Sequence, residues 1–307
     1  MTHSHDHHHH DHDHHSINYN RAFLIGTILN TGFVIIELRF GFWTHSLSLL
    51  ADGGHNLSDV FGLLLAWSGN ILAQHPPTQR YTYGLRRSSI LAALFNALIL
   101  LLVMGGIAWD AIQRLFHPSP ISGVTIIIVA SVGVVINTVT ALLFMSGRRQ
   151  DLNIRGVFLH MASDALVSCG VILTGLAILF TGWLWFDPLV SLLIVAVIVV
   201  GTWQLLRDSL SLALDGVPLA IEPQAVRTYL KELPGVAQIH DLHIWAMSTQ
   251  ETALTVHLVM PNGFPGDAFL SETCQQLYDL FGIEHPTLQI ETGDSNYPCV
   301  LAPDHRV

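Results

Sequence analysis

Six long apolar segments dominate the first two thirds of the 307-residue chain. Each is close to the roughly 20 residues that a helix needs to cross the hydrocarbon core of a bilayer. They run approximately over Arg21–Trp43, Ser46–Ala73, Ser88–Ile112, Val124–Met145, Val157–Phe180 and Pro188–Leu206. Only 12% of the residues are charged, about half the usual share in a globular domain, and the mean hydropathy is +0.47. The sequence therefore predicts an α-helical membrane protein with six transmembrane helices.

The arginines between these segments indicate the orientation of the helices. Connections 74–87 and 146–155 each contain three arginines, whereas 44–45 and 181–187 contain neither lysine nor arginine. The third connection contains only Arg114. Because positively charged loops stay on the cytoplasmic side, we predict that both termini are cytoplasmic. An even number of spans agrees with this orientation.

The second and fifth segments share a polar motif, His-x-x-x-Asp. It comprises His55 and Asp59 in the second segment, and His160 and Asp164 in the fifth. Residues four apart lie on one face of a helix, so both side chains of a pair can reach one point beside it. Asp52 precedes His55 by three residues and falls on the same face.

Two such helices side by side would offer two imidazoles and two carboxylates. This donor set suits a divalent cation in tetrahedral coordination, above all Zn²⁺. The alternative is that each polar side chain merely bonds a neighbouring polar group. An Asp at bilayer depth, however, costs roughly 2.5 to 3.5 kcal/mol on the insertion scale, and such residues tend to be functional. Matching pairs in two segments therefore favour a metal site, in a chain that moves the metal across the membrane.

Other polar side chains occur in the remaining spans. Asn30 and Glu37 lie seven residues apart on one face of the first span, and could support the metal ligands or line a water-filled path. Asn96 and Asn137 lie in the third and fourth spans. For the asparagines, simple hydrogen bonding between helices is an equally good explanation.

The first 15 residues are almost entirely histidine and aspartate. Such a tract has too few apolar residues to fold, so we predict a disordered, His-rich tail that binds metal loosely. An expression tag is the alternative explanation. The interleaved aspartates and irregular histidine spacing favour a native tail.

After the sixth span the chain has the character of a soluble domain. We predict, in order, a helix over Glu222–Leu233, strands over Ala237–Met247 and Thr252–Met260, a helix over Asp267–Phe281 and a strand over Thr287–Glu291. An α-β-β-α-β order with antiparallel strands makes a small α+β domain, which would gain stability by pairing with a second copy. The predicted organisation is a tail (1–18), a six-helix transmembrane domain (19–208), a cytoplasmic α+β metal-binding domain (209–292) and a C-terminal tail (293–307).

Several histidines of this domain could bind a second metal ion. Strict alternation along the first strand places Asp241 and His243 on one face and His240 on the other. If the fold brings His240, His257 and Glu291 together, they could form a metal site. A surface histidine pair with a hydrogen-bonding Asp explains the same residues equally well.

Composition argues against a disulfide framework, a thiolate zinc site and a nucleic-acid partner. The three cysteines, Cys169, Cys274 and Cys299, are widely spaced and form no CxxC, which predicts neither a disulfide framework nor a thiolate zinc site. The formal net charge is −10 and the sequence has no basic patch, which argues against a nucleic-acid partner.

The motifs of the chain, taken together, match a known family. They are Ser46-Leu47-Ser48-Leu49-Leu50-Ala51-Asp52 leading to His55 and Asp59, then Tyr83-Gly84, His160 with Asp164, Asp187-Pro188, Leu214-Asp215-Gly216-Val217-Pro218 and His240-Asp241-Leu242-His243-Ile244-Trp245. In these motifs the chain resembles the cation diffusion facilitators, and most of all their bacterial zinc-exporting branch. The resemblance covers nearly the whole chain beyond the tail.

The resemblance implies a homodimer in the cell inner membrane that exchanges cytoplasmic Zn²⁺, and also Cd²⁺, for protons by alternating access. Zn²⁺ is then the transported substrate. The transport ligands implied by the family are His55, Asp59, His160 and Asp164.

The resemblance also implies a ferredoxin-like cytoplasmic domain that binds zinc at the dimer interface. The nearest matches to its ligands are His240, His257 and Glu291, while Gln289 stands where other members have a further histidine. An ion pair between residues that follow the second and sixth spans would fall on Arg87 and Asp215.

Two other classes of function remain as alternatives. An intramembrane metalloenzyme needs a general base beside a metal-bound water, commonly in a His-Glu-x-x-His helix, and neither pair has that form. A metal sensor or buffer would use the His-rich tail and the soluble domain. It would leave the paired ligands in two spans unexplained, so we predict a transporter and not an enzyme.

Overall fold

The computed structural model describes residues 19–73, 75–117, 119–145, 152–294 and 296–302, so the predicted tail over 1–18 lies outside the described residues. Six long helices come first: α1 (Tyr19–Thr44), α2 (Leu47–Ala73), α3 (Ser88–Phe116), α4 (Gly123–Phe144), α5 (Leu152–Thr181) and α6 (Phe186–Ala213). They coincide with the six predicted segments. The largest differences are that α5 begins earlier and α6 ends later than hydropathy predicts.

Five of these helices, α1 and α3 to α6, are long and apolar enough to cross a membrane, within the part of the chain that the structure describes. With 27 residues α2 has a similar length. It carries Asp52, His55, Asn56 and Asp59 in its first half, and these side chains lower its mean hydropathy. The helical region therefore contains five candidate spans, together with α2, a helix of similar length.

The described residues within 1–53 and 114–190 form one compact unit. In it α4 packs along α5, and α1 packs on α4. A Cβ atom on Gly123 would lie 2.7 Å from the carbonyl oxygen of Gly175, so these two glycines let the backbones of α4 and α5 approach closely. A Cβ on Gly133 would lie 2.6 Å from the ring of Phe33, which explains the close packing of α1 on α4.

Asp187, at the start of α6, holds the start of α2. Its carboxylate accepts hydrogen bonds from the backbone N–H groups of Leu47 and Ser48, at 2.7 and 3.2 Å, and from the hydroxyls of Ser46 and Ser48. The side chain is buried, and a carboxylate at a helix N-terminus satisfies the free N–H groups of the first turn. These contacts give a physical reason for the Ser46–Ser48 and Asp187-Pro188 motifs.

The described residues within 54–113 and 191–307 form the second unit, which includes the α+β domain. Its elements are α7 (Pro223–Lys231), β1 (Gln238–Ala246), β2 (Thr252–Val259), α8 (Asp267–Phe281) and β3 (His285–Glu291). The predicted α-β-β-α-β order is confirmed, with a sheet of order β1-β2-β3. Its core includes Val226, Leu230, Leu254, Leu258 and Leu277, all fully buried.

The prediction that all strands are antiparallel is wrong for the last one. Strands β1 and β2 are antiparallel, but β3 is parallel to β2. The chain leaves the end of β2, crosses through α8 and re-enters the sheet at the opposite end, so β3 runs in the same direction as β2.

The prediction that strict alternation separates His240 from Asp241 on β1 is also wrong. The register of β1 against β2 shifts between His240 and His243, and Asp241 adopts a positive φ of 51°. Such an irregularity re-aims side chains that strict alternation would separate. Both His240 and Asp241 therefore contact His257 on β2.

The segment before α3 contacts the α+β domain within the same unit. Arg87 pairs with Asp215, the ion pair that the resemblance implies, and Arg86 pairs with Glu251 in the turn between β1 and β2. The backbone N–H of Thr249 also donates to the Ser89 hydroxyl at 3.1 Å. The turn between β1 and β2 therefore lies against the start of α3.

Candidate metal centres

The first histidine–aspartate pair lies on α2. The Nε2 atom of His55 is 3.7 Å from the Oδ2 atom of Asp59, and both side chains are partly buried. Met104 of α3 packs beside the pair at Gly54. A Cβ atom on Gly54 would lie only 3.1 Å from the methyl group of Met104. One turn further on, Asn96 of α3 contacts Ser58 at 3.5 Å, which supports the helix-packing explanation for that asparagine.

The second pair lies on α5 with the same geometry. The Nε2 atom of His160 is 3.7 Å from the Oδ2 atom of Asp164, and the Asp164 side chain is only 4% exposed. The side-chain amide of Asn30 on α1 contacts the sulfur of the adjacent Met161 at 3.5 Å. Asn30 therefore contacts α5 at the residue that follows His160.

The spacing within each pair suits a shared cation. Zinc–nitrogen and zinc–oxygen bonds of about 2.0 to 2.2 Å at a tetrahedral angle place two ligand atoms roughly 3.3 to 3.6 Å apart. The 3.7 Å separation in both pairs is close to that value, so a small rotation of either side chain would let both atoms bind one ion. Each pair can therefore supply two ligands.

Two further carboxylates are buried near the start of α2. Asp52 is 1% exposed and accepts a hydrogen bond from the Ser168 hydroxyl of α5 at 3.1 Å. Glu37 on α1 is fully buried, and its side chain lies against Gly53, where a Cβ would be 3.2 Å from Cγ of Glu37. Burying acidic groups in a helical membrane region is costly, which makes this part of the unit a candidate for function.

The α+β domain contains a separate cluster at one end of its sheet. His240, His257, Glu291 and Cys299 each place one potential ligand atom within 4.8 Å of the others. Nδ1 of His257 lies 2.7 Å from Glu291 and 3.5 Å from Sγ of Cys299, and Nε2 of His240 lies 3.5 Å from Glu291. The three residues selected from the sequence are therefore together, with a thiol beside them.

Polar neighbours surround the carboxylate of Glu291. Burial favours its neutral form, but hydrogen bonds from Cys299, His257 and Gln289 outweigh that effect. With the nearby charge of His240, they lower the pKa of Glu291 below its usual value, so the group is an anion at neutral pH. Gln289, in the place of a further histidine, donates to Glu291 at 3.0 Å.

Sequence reasoning missed Cys299. It has no ligand-like spacing to another cysteine, and it follows β3 in the predicted C-terminal tail. The segment after β3 returns to the cluster and lines a groove of 830 Å³, together with His240 and Glu291. Only this chain reversal brings the thiol to the histidines, and nothing in the local sequence predicts it.

Comparison with known proteins agrees with both parts of the chain. Residues 23–212 match the cation efflux transmembrane domain family, and residues 218–293 match the family of cation efflux protein cytoplasmic domains. These families cover the long helices and the α+β domain.

Individual relatives match over most of their length. The metal cation efflux system protein CzcD of Cupriavidus metallidurans is 38% identical, over 94% of this chain and 90% of the relative. Zinc transporter ZitB of Escherichia coli is 34% identical over 95% and 93%. A Bacillus subtilis protein named cadmium, cobalt and zinc/H(+)-K(+) antiporter is 34% identical over 90% of each chain. With these matches, its apolar helices and its two His-x-x-x-Asp motifs, the protein belongs to the cation efflux family of multi-pass membrane transporters, the cation diffusion facilitators.

Proposed function

We propose that the protein exports Zn²⁺, and also Cd²⁺, from the cytoplasm in exchange for protons. The observation that carries this proposal is the matched geometry of two His-x-x-x-Asp pairs, each with a 3.7 Å separation between imidazole nitrogen and carboxylate oxygen. In the proposed site His55 and Asp59 of α2 converge with His160 and Asp164 of α5 on one ion. The names of the zinc-transporting and antiporting relatives support the choice of substrate and counter-ion.

The charges of the four ligands explain the choice of ion. Two carboxylates and two neutral imidazoles carry a charge of −2, which Zn²⁺ neutralises. Imidazole nitrogen favours zinc over harder ions such as Mg²⁺ or Mn²⁺, and four protein ligands leave no open position for a reacting water. The site therefore suits binding and release of an ion and not hydrolysis.

The same four ligands can couple zinc export to proton entry. After zinc leaves toward the outside, the empty site is a buried anion that takes up protons, first at the imidazoles, whose reference pKa is about 6.5. Zinc and protons thus compete for the same atoms. Moving a bare Zn²⁺ outward against an inside-negative potential costs roughly 4.6 kcal/mol per 100 mV, twice the cost for a single charge. Protons that return through the site offset that cost.

The remaining architecture follows from this function. We propose that α2 also spans the membrane, in addition to the five candidate spans, because a helix that holds the transported ion must lie at membrane depth. Both termini then face the cytoplasm of a protein in the inner membrane. The predicted division at residues 18, 208 and 292 separates the tail, the transport domain, a ferredoxin-like cytoplasmic domain and the C-terminal segment. That domain pairs two protomers into a homodimer, in accord with the dimer in the name of the matched domain family.

His240, His257 and Glu291 bind a second zinc ion in the cytoplasmic domain. This ion is not transported, because its ligands lie in the sheet and outside the long helices. It tunes transport to the cytoplasmic zinc concentration. A protein that only sensed or buffered zinc would use this site and the His-rich tail without moving metal.

Zinc flux into proteoliposomes tests the proposal. We expect zinc uptake into vesicles to depend on the protein and to accelerate when the vesicle interior is acidic, since outward-moving protons then drive the exchange. Dissipating the pH gradient with an ionophore at constant zinc should remove the acceleration. Binding of zinc without any flux would support the sensor or buffer alternative and contradict the proposed transport.

A further inference from the structure

The C-terminal segment after β3 returns to the metal-binding end of the sheet. Sγ of Cys299 lies 3.5 Å from Nδ1 of His257, and the potential ligand atoms of Cys299, His240, His257 and Glu291 all lie within 4.8 Å. A tetrahedral zinc site places its nitrogen, oxygen and sulfur ligands roughly 3.3 to 3.8 Å apart. The cluster is thus slightly wider than a formed site and needs only small side-chain movements to close.

The contacts of His257 identify the atom that would bind metal. Its Nδ1 faces Glu291 and Cys299, whereas its Nε2 lies 3.5 Å from Oδ2 of Asp241. Metal-binding histidines typically direct the second ring nitrogen to a carboxylate, which fixes the tautomer and the ring orientation. Asp241 is held in turn by His243, whose Nε2 lies 2.9 Å from its Oδ1. Asp241 is therefore a positioning residue for Nδ1 of His257.

His240 provides a second, independent observation. The residue is only 8% exposed, and its Nε2 makes no hydrogen bond to any residue that the structure describes. This nitrogen lies 3.5 Å from Oε2 of Glu291, on the side of the ring that faces the cluster. A buried ring nitrogen without a hydrogen bond costs free energy, which a metal ion at this point would recover.

We propose that the thiolate of Cys299 is the fourth ligand of the cytoplasmic zinc ion, with Nε2 of His240, Nδ1 of His257 and a carboxylate oxygen of Glu291. All four ligands come from one protomer. On binding, the zinc–sulfur bond forms and the thiol proton passes to solvent. The thiolate and Glu291 together neutralise Zn²⁺. The proposal rests on the cytoplasmic metal site proposed above and is independent of the transport site.

The fourth ligand has two consequences for the domain. Four protein ligands close the coordination sphere around the ion, so it has no open position for a reacting water and is not passed to the transport pathway. The thiolate also favours thiophilic ions such as Zn²⁺ and Cd²⁺ over Mn²⁺ and Mg²⁺. Because Cys299 lies beyond the last strand, metal binding would tie the chain at Cys299 to the sheet.

Cobalt binding to the full-length protein in detergent tests the proposal. Co²⁺ takes the same ligands as Zn²⁺, and its bond to a thiolate produces a near-ultraviolet charge-transfer absorption that nitrogen and oxygen ligands do not produce. The wild-type protein should show this absorption, and Cys299→Ser should abolish it. Cys169→Ser and Cys274→Ser, which remove the other two cysteines, should retain it. Absorption that survives in Cys299→Ser, or none in the wild type, would overturn the proposal.

Two further measurements keep the result interpretable. In a Cys169→Ser, Cys274→Ser protein, Zn²⁺ should slow alkylation of Cys299, and adding His257→Ala should remove that protection. Equal alkylation rates with and without Zn²⁺ would contradict the proposed bond.

The cobalt–thiolate absorption should also persist in His55→Ala. If His55→Ala abolished it, the sulfur ligand would belong to the membrane site and the proposal would be wrong. Failure of zinc flux with an intact absorption would instead contradict only the transport function.

Discussion

The membrane pairs and the cytoplasmic cluster bring similar side chains together in different ways. On α2 and α5 each histidine is followed by its aspartate one helical turn later, and both pairs have the same 3.7 Å separation. In the α+β domain the ligand atoms come from two neighbouring strands, from β3 and from the segment beyond it. A helix encodes a pair of ligands within five residues, whereas the sheet cluster depends on the register and on a chain reversal.

The donor atoms differ as well. The proposed membrane site offers two nitrogens and two oxygens, which would release an ion readily when protons compete for the same atoms. The cytoplasmic cluster adds a sulfur and is supported by the carboxylate of Asp241. In the proposed mechanism one zinc ion is bound for passage and another for regulation, with histidine as a ligand common to both.

The largest effect should follow removal of a membrane ligand. His160→Ala and Asp59→Ala each leave three ligands in the proposed site, and Asp59→Ala also removes one of its two negative charges, so zinc flux in proteoliposomes should fall to that of protein-free vesicles. His117→Ala, an exposed histidine in the connection between α3 and α4, is the matched control and should transport normally. Wild-type flux by either ligand variant would contradict the assignment of that residue.

Exchange of a nitrogen for an oxygen should change the selectivity of the membrane site. His55→Asp keeps four ligands but replaces an imidazole by a carboxylate, which favours harder ions. Relative to the wild type, we expect the ratio of Mn²⁺ to Zn²⁺ flux to rise, at least tenfold if the change amounts to about 1.4 kcal/mol. Parallel flux assays with the two ions measure it. An unchanged ratio would show that His55 does not contact the transported ion.

The cytoplasmic site should depend on a residue that does not bind the metal itself. Asp241→Asn removes the negative charge that orients His257, and should weaken cobalt binding at the thiolate site by about 10- to 100-fold. His243→Ala, which removes the other partner of Asp241, should weaken it much less. Titration of the charge-transfer absorption with Co²⁺ gives both affinities. Equal effects of the two substitutions would argue against a positioning role for Asp241.

A smaller effect should follow a change in the packing of α5 against α4. A Cβ on Gly175 would lie 2.9 Å from the carbonyl oxygen of Gly123, so Gly175→Ala should destabilise the α4–α5 contact by about 1 to 3 kcal/mol. Gly170→Ala, on the same helix, would meet nothing within 4 Å and should not destabilise the protein. Thermal unfolding in detergent compares the two. Equal melting temperatures would contradict the close approach of the helices.

The long helices could be predicted from the sequence because hydropathy alone requires them. Their ends were less certain, since the first turn of α5 and the last turns of α6 are more polar than a span. The elements of the α+β domain were also predictable, apart from the parallel pairing of β3. That pairing depends on where α8 returns the chain, which no local pattern in β2 or β3 specifies.

The candidate sites show the same limit. His55, Asp59, His160 and Asp164 were recognisable because helical spacing itself places each pair on one face. Strict strand alternation failed at His240 and Asp241, because the register shift turns both side chains to His257. Cys299 was not recognisable because its approach to His257 is a tertiary contact of the last described segment.

In the proposed mechanism both membrane pairs bind one and the same ion. Calorimetric zinc titration tests it most directly, with a protein that lacks residues 1–18 and carries His240→Ala and His257→Ala to remove the other binding sites. We expect one zinc ion per protomer, and the loss of that ion in His55→Ala and equally in His160→Ala. Two zinc ions per protomer, or tight binding that survives the loss of either histidine, would show that the pairs act separately and would contradict the account.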